Sequence, residues 1–137
     1  MARSVLVDTG PIVAYLHRGD AWHAAATRFF KIWRGETLTT WPVITEAMYL
    51  SDSNAARFGL LQWIQRDLMV PPQDADDARV IERYLKKYAD RKPDFADLSV
   101  LALAERTGIR DIATIDASDF QVYRLSNGRG LNNLLAA

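Results

Sequence analysis

Val5-Leu6-Val7-Asp8-Thr9-Gly10-Pro11 is the stretch whose reading decides the fold. Three apolar residues, two of them β-branched, run straight into a group of turn formers. The pattern predicts a short buried strand that stops at Asp8. Pro11 suits a first helical position, where its missing N–H has no helical partner to lose. A helix is therefore expected from Pro11 to Leu16, and strand followed by helix opens a βα unit.

Working outward, the alternation repeats. Trp22, Ala25, Ala26, Phe29 and Trp33 recur at helical spacing after Asp20, and Gly35 closes the run. Residues 36–40 read as a second strand, and Pro42 opens a helix carrying Ile44, Glu46, Ala47 and Leu50. Residues 54–68 form a further helix with Leu60, Leu61, Ile64 and Leu68 on one face. Met69-Val70 is a brief edge strand, stopped by Pro71-Pro72. Ala78, Ile81, Leu85 and Tyr88 mark an amphipathic helix. Pro93-Asp94 opens the most apolar helix, residues 95–106, ended by Gly108. Residues 111–115 read as a strand ending at Asp116, and residues 121–125 as a last strand. Strands alternating with helices give an α/β fold, a parallel sheet covered on both faces. No repeat or linker divides the 137 residues, so a single domain over residues 1–137 is expected.

Composition narrows the chemistry. Hydrophobic residues at 49% and charged residues at 25% are ordinary for a folded soluble domain. Seventeen Lys and Arg balance seventeen Asp and Glu, so no global basic field announces a nucleic-acid partner. The absence of cysteine excludes disulfides, thiol nucleophiles and Cys-ligated zinc. His17 and His23 are the only imidazoles, too few for a His-rich metal site, and both are read as surface residues. The four tryptophans are read as core or partner contacts. The acids are thirteen Asp against four Glu. Asp is a poor residue inside helices but a good cap, turn former and oxygen ligand. Arg3 and Asp8 interrupt the apolar start, and no run approaches the roughly 18 residues of a membrane span. No membrane association is expected, and the cytoplasm is the expected compartment.

Four acids stand where a carboxylate cluster can assemble. Asp8 and Asp116 follow predicted strands, and in parallel sheets ligands bind outside the carboxyl ends of strands. Glu46 and Asp97 lie in the first turns of helices entering from the same rim. Each also has an ordinary structural explanation. Asp8 suits a turn, Asp94 and Asp97 suit a helix cap and a favourable early charge, Glu46 suits a solvated face, and residues 116–119 suit an Asx turn. Together they form a set that one turn or cap does not explain. Clustered carboxylates repel one another unless a cation intervenes. An all-oxygen donor set suits a hard ion, Mg²⁺ or Mn²⁺. Such an ion activates water and stabilises charge on a phosphoryl group, so phosphodiester hydrolysis is the leading chemistry.

Residues 5–12, Thr45-Glu46, Asp94-Phe95-Ala96-Asp97 with its apolar helix, and residues 113–120 resemble the PIN-domain ribonucleases, in particular the VapC-type toxins of toxin–antitoxin pairs. The resemblance covers nearly the whole chain and implies a three-layer α/β/α fold with a central parallel sheet. It implies a Mg²⁺- or Mn²⁺-dependent endoribonuclease that forms homodimers and is inhibited by a cognate antitoxin protein. Asp8, Glu46, Asp97 and Asp116 match the family's acidic quartet, Asp119 an additional acid near the site, and Thr114 a small polar residue beside it. Asp94 matches less closely and reads as the helix cap. Contacts to the RNA backbone are then assigned to Thr114 and to a local basic patch of Lys86, Lys87, Arg91 and Lys92. A solvated helix face explains the same four cations.

Three other readings compete. Asp8-Thr9-Gly10 after apolar residues is also the signature of a dimeric aspartic protease, which predicts an all-β chain and leaves Glu46, Asp97 and Asp116 unexplained. A phosphatase with Asp8 as covalent nucleophile commonly needs a second Asp two residues later, where this chain has Gly10. A non-catalytic module keeping the PIN-like fold would use its apolar surface to bind a partner.

Overall fold

Ser4–Val7 forms β1, and Val5, Leu6 and Val7 are fully buried at the centre of the sheet. In the computed structural model, which describes residues 3–135, four further parallel strands join it. These are β2 (Glu36–Leu38), β3 (Leu68–Met69), β4 (Asp111–Ala113) and β5 (Asn132–Asn133), in the order β3-β2-β1-β4-β5. Met1, Ala2, Ala136 and Ala137, which the expected domain span includes, lie outside the described residues. The chain steps outward from β1 to β3 and then crosses back to place β4 on the other side of β1. Strand order therefore reverses between β1 and β4, the position where such sheets open a crevice for ligands. The three-layer α/β expectation holds, and the all-β chain of an aspartic protease does not.

Helices fill the crossovers. They are α1 (Thr9–Leu16), α2 (His23–Ile32), α3 (Trp41–Leu50), α4 (Asn54–Arg66), α5 (Ala75–Lys87), α6 (Phe95–Thr107) and α7 (Ala117–Val122). Side-chain oxygens of Thr40, Ser53, Asp74, Asp94 and Asp116 cap five of them, satisfying amides that a helix leaves unpaired. Residues 96–104 of α6 are buried without a break, packed between α3 and α5, which explains why its sequence is apolar all round. Gly108 ends it at φ 76°, a left-handed conformation that favours glycine. No helix among the described residues is long and apolar enough to cross a membrane.

Several expectations need correction. α1 begins at Thr9, two residues before Pro11, because Asp8 already occupies the N-cap position. α4 ends at Arg66, and Leu68 belongs to β3. β4 stops at Ala113 instead of reaching Asp116: the Thr114 hydroxyl accepts the Asp116 N–H, and the Ile115 carbonyl accepts that of Ala117. Residues 121–125 are not a strand. Asp116 caps α7, which runs on to Val122, and the alternation of buried Tyr123 with exposed Arg124 and buried Leu125 belongs to the segment after it. The last strand is β5, whose polar residues carry no hydrophobic signal. On α5, Leu85 faces outward while Asp77 and Tyr84 face in. His17 pairs with Asp52 at 3.0 Å, as suits a surface residue, whereas His23 is half-buried with Nδ1 2.7 Å from the Ala14 carbonyl.

Candidate active site

The site is built where β1 and β4 end side by side. The backbone N–H of Asp8 continues the ladder by donating to the Ala113 carbonyl at 3.0 Å. Its side chain, 5% exposed, then follows the end of β1 where strand order reverses. Thr114, fully buried one residue past β4, donates its hydroxyl to Asp8 Oδ2 at 2.8 Å. The same Thr114 oxygen accepts the Asp116 N–H at 3.0 Å, so one hydroxyl ties the acid that follows β1 to the acid that caps α7. Asn133 on β5 holds Thr114 in turn, accepting its N–H and donating to its carbonyl.

α6 brings the next acid. Asp94 accepts the Asp97 N–H at 2.8 Å, which starts the helix and fixes Asp97 in its first turn. Asp97 is 8% exposed. Its carboxylate lies with those of Asp116 and Asp119 so that one oxygen of each falls within 4.8 Å of the others. Asp119 comes from the first turn of α7, with its N–H directed at Asp116 Oδ1 and Arg91 Nε 3.7 Å from its own Oδ1.

Glu46 stands apart from this trio. It is half-buried on α3 and, with Asp94, borders an open cleft of about 640 Å³. Trp41, Tyr49 and Phe95 also line that cleft, each more than half exposed.

The electrostatics follow from this crowding. Burial pushes the Asp8 carboxyl up to about 6, with Glu46 and Asp94 adding to the rise and hydrogen bonds from Thr114 and the Thr9 amide opposing it. Desolvation wins over both hydrogen bonds. Ionising Asp8 in the fold costs about 3 kcal/mol more than in water. Asp97 goes further, to about 8, through burial and then the charges of Asp8, Asp94, Asp116 and Asp119. Asp119 is raised by desolvation and by Asp116, with Arg91 opposing. A metal-free site thus retains protons near neutrality that ordinary carboxyls would have lost.

The donor set fits a hard divalent cation: three carboxylate oxygens within reach of one point, no nitrogen or sulfur ligand, and repulsion that a cation would relieve. Two buried hydroxyls, Oγ1 of Thr9, the residue after Asp8, and Oη of Tyr123, the residue that closes α7, have no hydrogen-bond partner among the described residues.

Of the residues singled out in the sequence, Asp97, Asp116 and Asp119 come together, Asp8 bears on Asp97, and Glu46 bears on Asp8. Thr114 is bonded to Asp8. In the basic patch, Arg91 reaches the site through Asp119, while Lys86 pairs with Glu82 and Lys87 lies over the Tyr88 ring. Lys92 follows the 3-10 turn of Ala89–Arg91 at φ 49°. Sequence reasoning singled out neither Tyr123 nor the cleft aromatics. Tyr123 had no signal, since a tyrosine inside an expected strand reads as core. The proximity of Trp41 to Glu46 was a weak one.

A family model of the PIN domain matches residues 5–125. No curated protein matches the chain in sequence. Among solved structures, the chain is similar to VapC20 of Mycobacterium tuberculosis, a toxin described as cleaving the sarcin-ricin loop. The TM-score is 0.74 at 23% identity, over 84% of this chain and 93% of that one. That likeness is one of fold, and the family match spans the strands and helices that carry every acid described above. The chain belongs to the PIN-domain family.

Proposed function

We propose that this chain is a Mg²⁺- or Mn²⁺-dependent endoribonuclease and the toxin of a toxin–antitoxin pair. The observation that carries the reading is the convergence of Asp97, Asp116 and Asp119 next to buried Asp8, at the reversal point of a parallel sheet. A fold does not specify a function, so the reading rests on that site; the likeness to a solved RNA-cleaving toxin supports the substrate class.

Asp97, Asp116 and Asp119 would hold the ion, Asp8 would complete its charge balance, and Glu46 would act directly or through water. When bound, such an ion supplies a Lewis acid that lowers the pKa of water and offsets negative charge on a phosphoryl oxygen. The chain's own residues do the rest. Thr114 keeps the Asp8 carboxylate aimed by hydrogen bonding to its Oδ2. Holding a cation there would require Asp8 and Asp97 to be ionised, so its binding would be coupled to loss of the protons that burial retains. Arg91, beside Asp119 at the edge of the cluster, is placed to meet a phosphate, and Lys86, Lys87 and Lys92 extend that basic side for the RNA backbone. An antitoxin protein and a second copy of the chain are the proposed protein partners.

The test is cleavage of total RNA by the purified chain with Mn²⁺, with Mg²⁺ and with EDTA, beside Asp97→Asn. Metal-dependent cutting that the variant lacks is expected. Cutting undiminished by EDTA, or by a folded Asp97→Asn, overturns the reading.

A further inference from the structure

Tyr123 is completely buried, yet its hydroxyl has no hydrogen-bond partner among the described residues. A buried hydroxyl without a partner costs on the order of 1–3 kcal/mol, and folded proteins leave few of them. Packing accounts for the ring. It stands edge-on to Tyr88 at 4.9 Å and to Phe120 at 5.2 Å, in contacts a phenylalanine would make equally well. It does not account for the oxygen. Tyr88, its neighbour, shows the ordinary solution: its hydroxyl bonds the backbone amide of Arg124 at 2.7 Å.

The setting of the orphaned oxygen is unusual. The negative charges that bear most on it are Asp97, then Asp119 and Asp116, the three acids whose oxygens meet within 4.8 Å. The second orphaned hydroxyl, that of Thr9, belongs to the residue following Asp8. Tyr123 also closes α7, its backbone N–H directed at the Asp119 carbonyl, so the orphaned phenol belongs to the same short helix that Asp116 caps and Asp119 begins. A phenol both donates and accepts, which makes it a suitable partner for an oriented water.

We propose that Tyr123 is a positioning residue of the carboxylate site, its hydroxyl held for a water that enters with the divalent cation. This rests on the metal reading above. The water gains a fixed orientation and the phenol gains its missing partner. Tyr123 touches neither the substrate nor the ion itself, acting as the outer partners of metal sites do.

The test compares the wild-type chain, Tyr123→Phe and Asp97→Asn by calorimetric titration with Mn²⁺ and by thermal melting in EDTA. Removing an unpaired buried hydroxyl leaves packing intact, so metal-free Tyr123→Phe should melt at or above the wild type. Its Mn²⁺ affinity should fall about tenfold. A hydroxyl with only a structural role gives the reverse pattern, lower stability with unchanged affinity, and that result overturns the proposal. Should the variant fail to fold, the wild type labelled at tyrosine Cζ and titrated with Mg²⁺ decides by NMR. A shift at one buried ring among the five tyrosines, absent in Asp97→Asn, supports the role, and no shift ends it. Wild-type protein that binds Mn²⁺ while Tyr123→Phe binds it equally well defeats the Tyr123 role alone. Wild-type protein that binds no divalent ion defeats the metal reading with it.

Discussion

Thr114 donates to Asp8 across 106 positions of sequence, Oγ1 to Oδ2 at 2.8 Å, and this bond joins the ends of the two central strands. Because the same oxygen accepts the Asp116 amide, displacing Thr114 disturbs two acids together.

Thr114→Val should therefore weaken metal binding with little change in packing volume. The Thr114 bond lowers the Asp8 carboxyl, so its loss carries Asp8 above about 6 and keeps more of it protonated at neutral pH. Mn²⁺ affinity should fall about tenfold near pH 6, since hydrogen bonds to charged groups contribute about 1.5–3 kcal/mol. The deficit should narrow toward pH 9, and Thr114→Ser should restore binding. A deficit of equal size at every pH would show that Thr114 acts through backbone geometry alone.

Metal-free stability should fall as pH rises. Asp8 at about 6 and Asp97 at about 8 both lie above the ordinary Asp value of 3.8, so the folded chain holds protons that the unfolded chain releases. Their favourable contribution is complete below about pH 4 and is lost as pH passes through 6 and then 8. Melting temperatures in EDTA should decline from pH 5 to pH 8. The decline should be shallower in Asp97→Asn, which should exceed the wild type at pH 8. A wild-type melting temperature that climbs over this range contradicts the assignment.

Divalent metal should reverse that trend. Binding to the folded state alone raises the melting temperature in proportion to occupancy. At pH 7 it should release about one proton, seen as a dependence of calorimetric heat on buffer ionisation enthalpy. Cleaved RNA should carry 5′-phosphate and 3′-hydroxyl ends, the products expected of attack by water on the proposed reading. A 2′,3′-cyclic phosphate would instead identify the substrate's own 2′-hydroxyl as nucleophile.

Gly35→Ala tests the frame beneath the site. A Cβ at Gly35 would stand 2.1 Å from the Arg3 carbonyl oxygen, which accepts the Glu36 N–H where β1 and β2 begin. The two strands must part or the chain must twist, at a cost of about 3 kcal/mol. Gly108→Ala has open space and only its left-handed backbone to strain, at about 1 kcal/mol. Urea midpoints should rank the two in that order, and equal midpoints would refute the close approach at Gly35.

Much of this was legible in the chain because the decisive signals are local. Val5–Val7 before Asp8, Pro93-Asp94 before the apolar α6 and Gly108 after it are choices made over a few residues, and they carried through. So did the alternation that dictates a parallel sheet. Where pairing sets the outcome, the sequence was silent or misleading. β5 is two asparagines whose strand character comes from lying beside β4, and the strand expected over residues 121–125 gave way at its start to the end of a helix capped by Asp116. Distances between acids are likewise a tertiary matter. Spacing could nominate Asp8, Glu46, Asp97 and Asp116 as a quartet. Only the assembled fold decided that Asp119 joins Asp97 and Asp116, while Glu46 lies outside that trio on the wall of a cleft. Burial decided the rest: the raised carboxyls of Asp8 and Asp97 and the unpaired hydroxyl of Tyr123 follow from water excluded by the assembled fold, and no single segment encodes that exclusion.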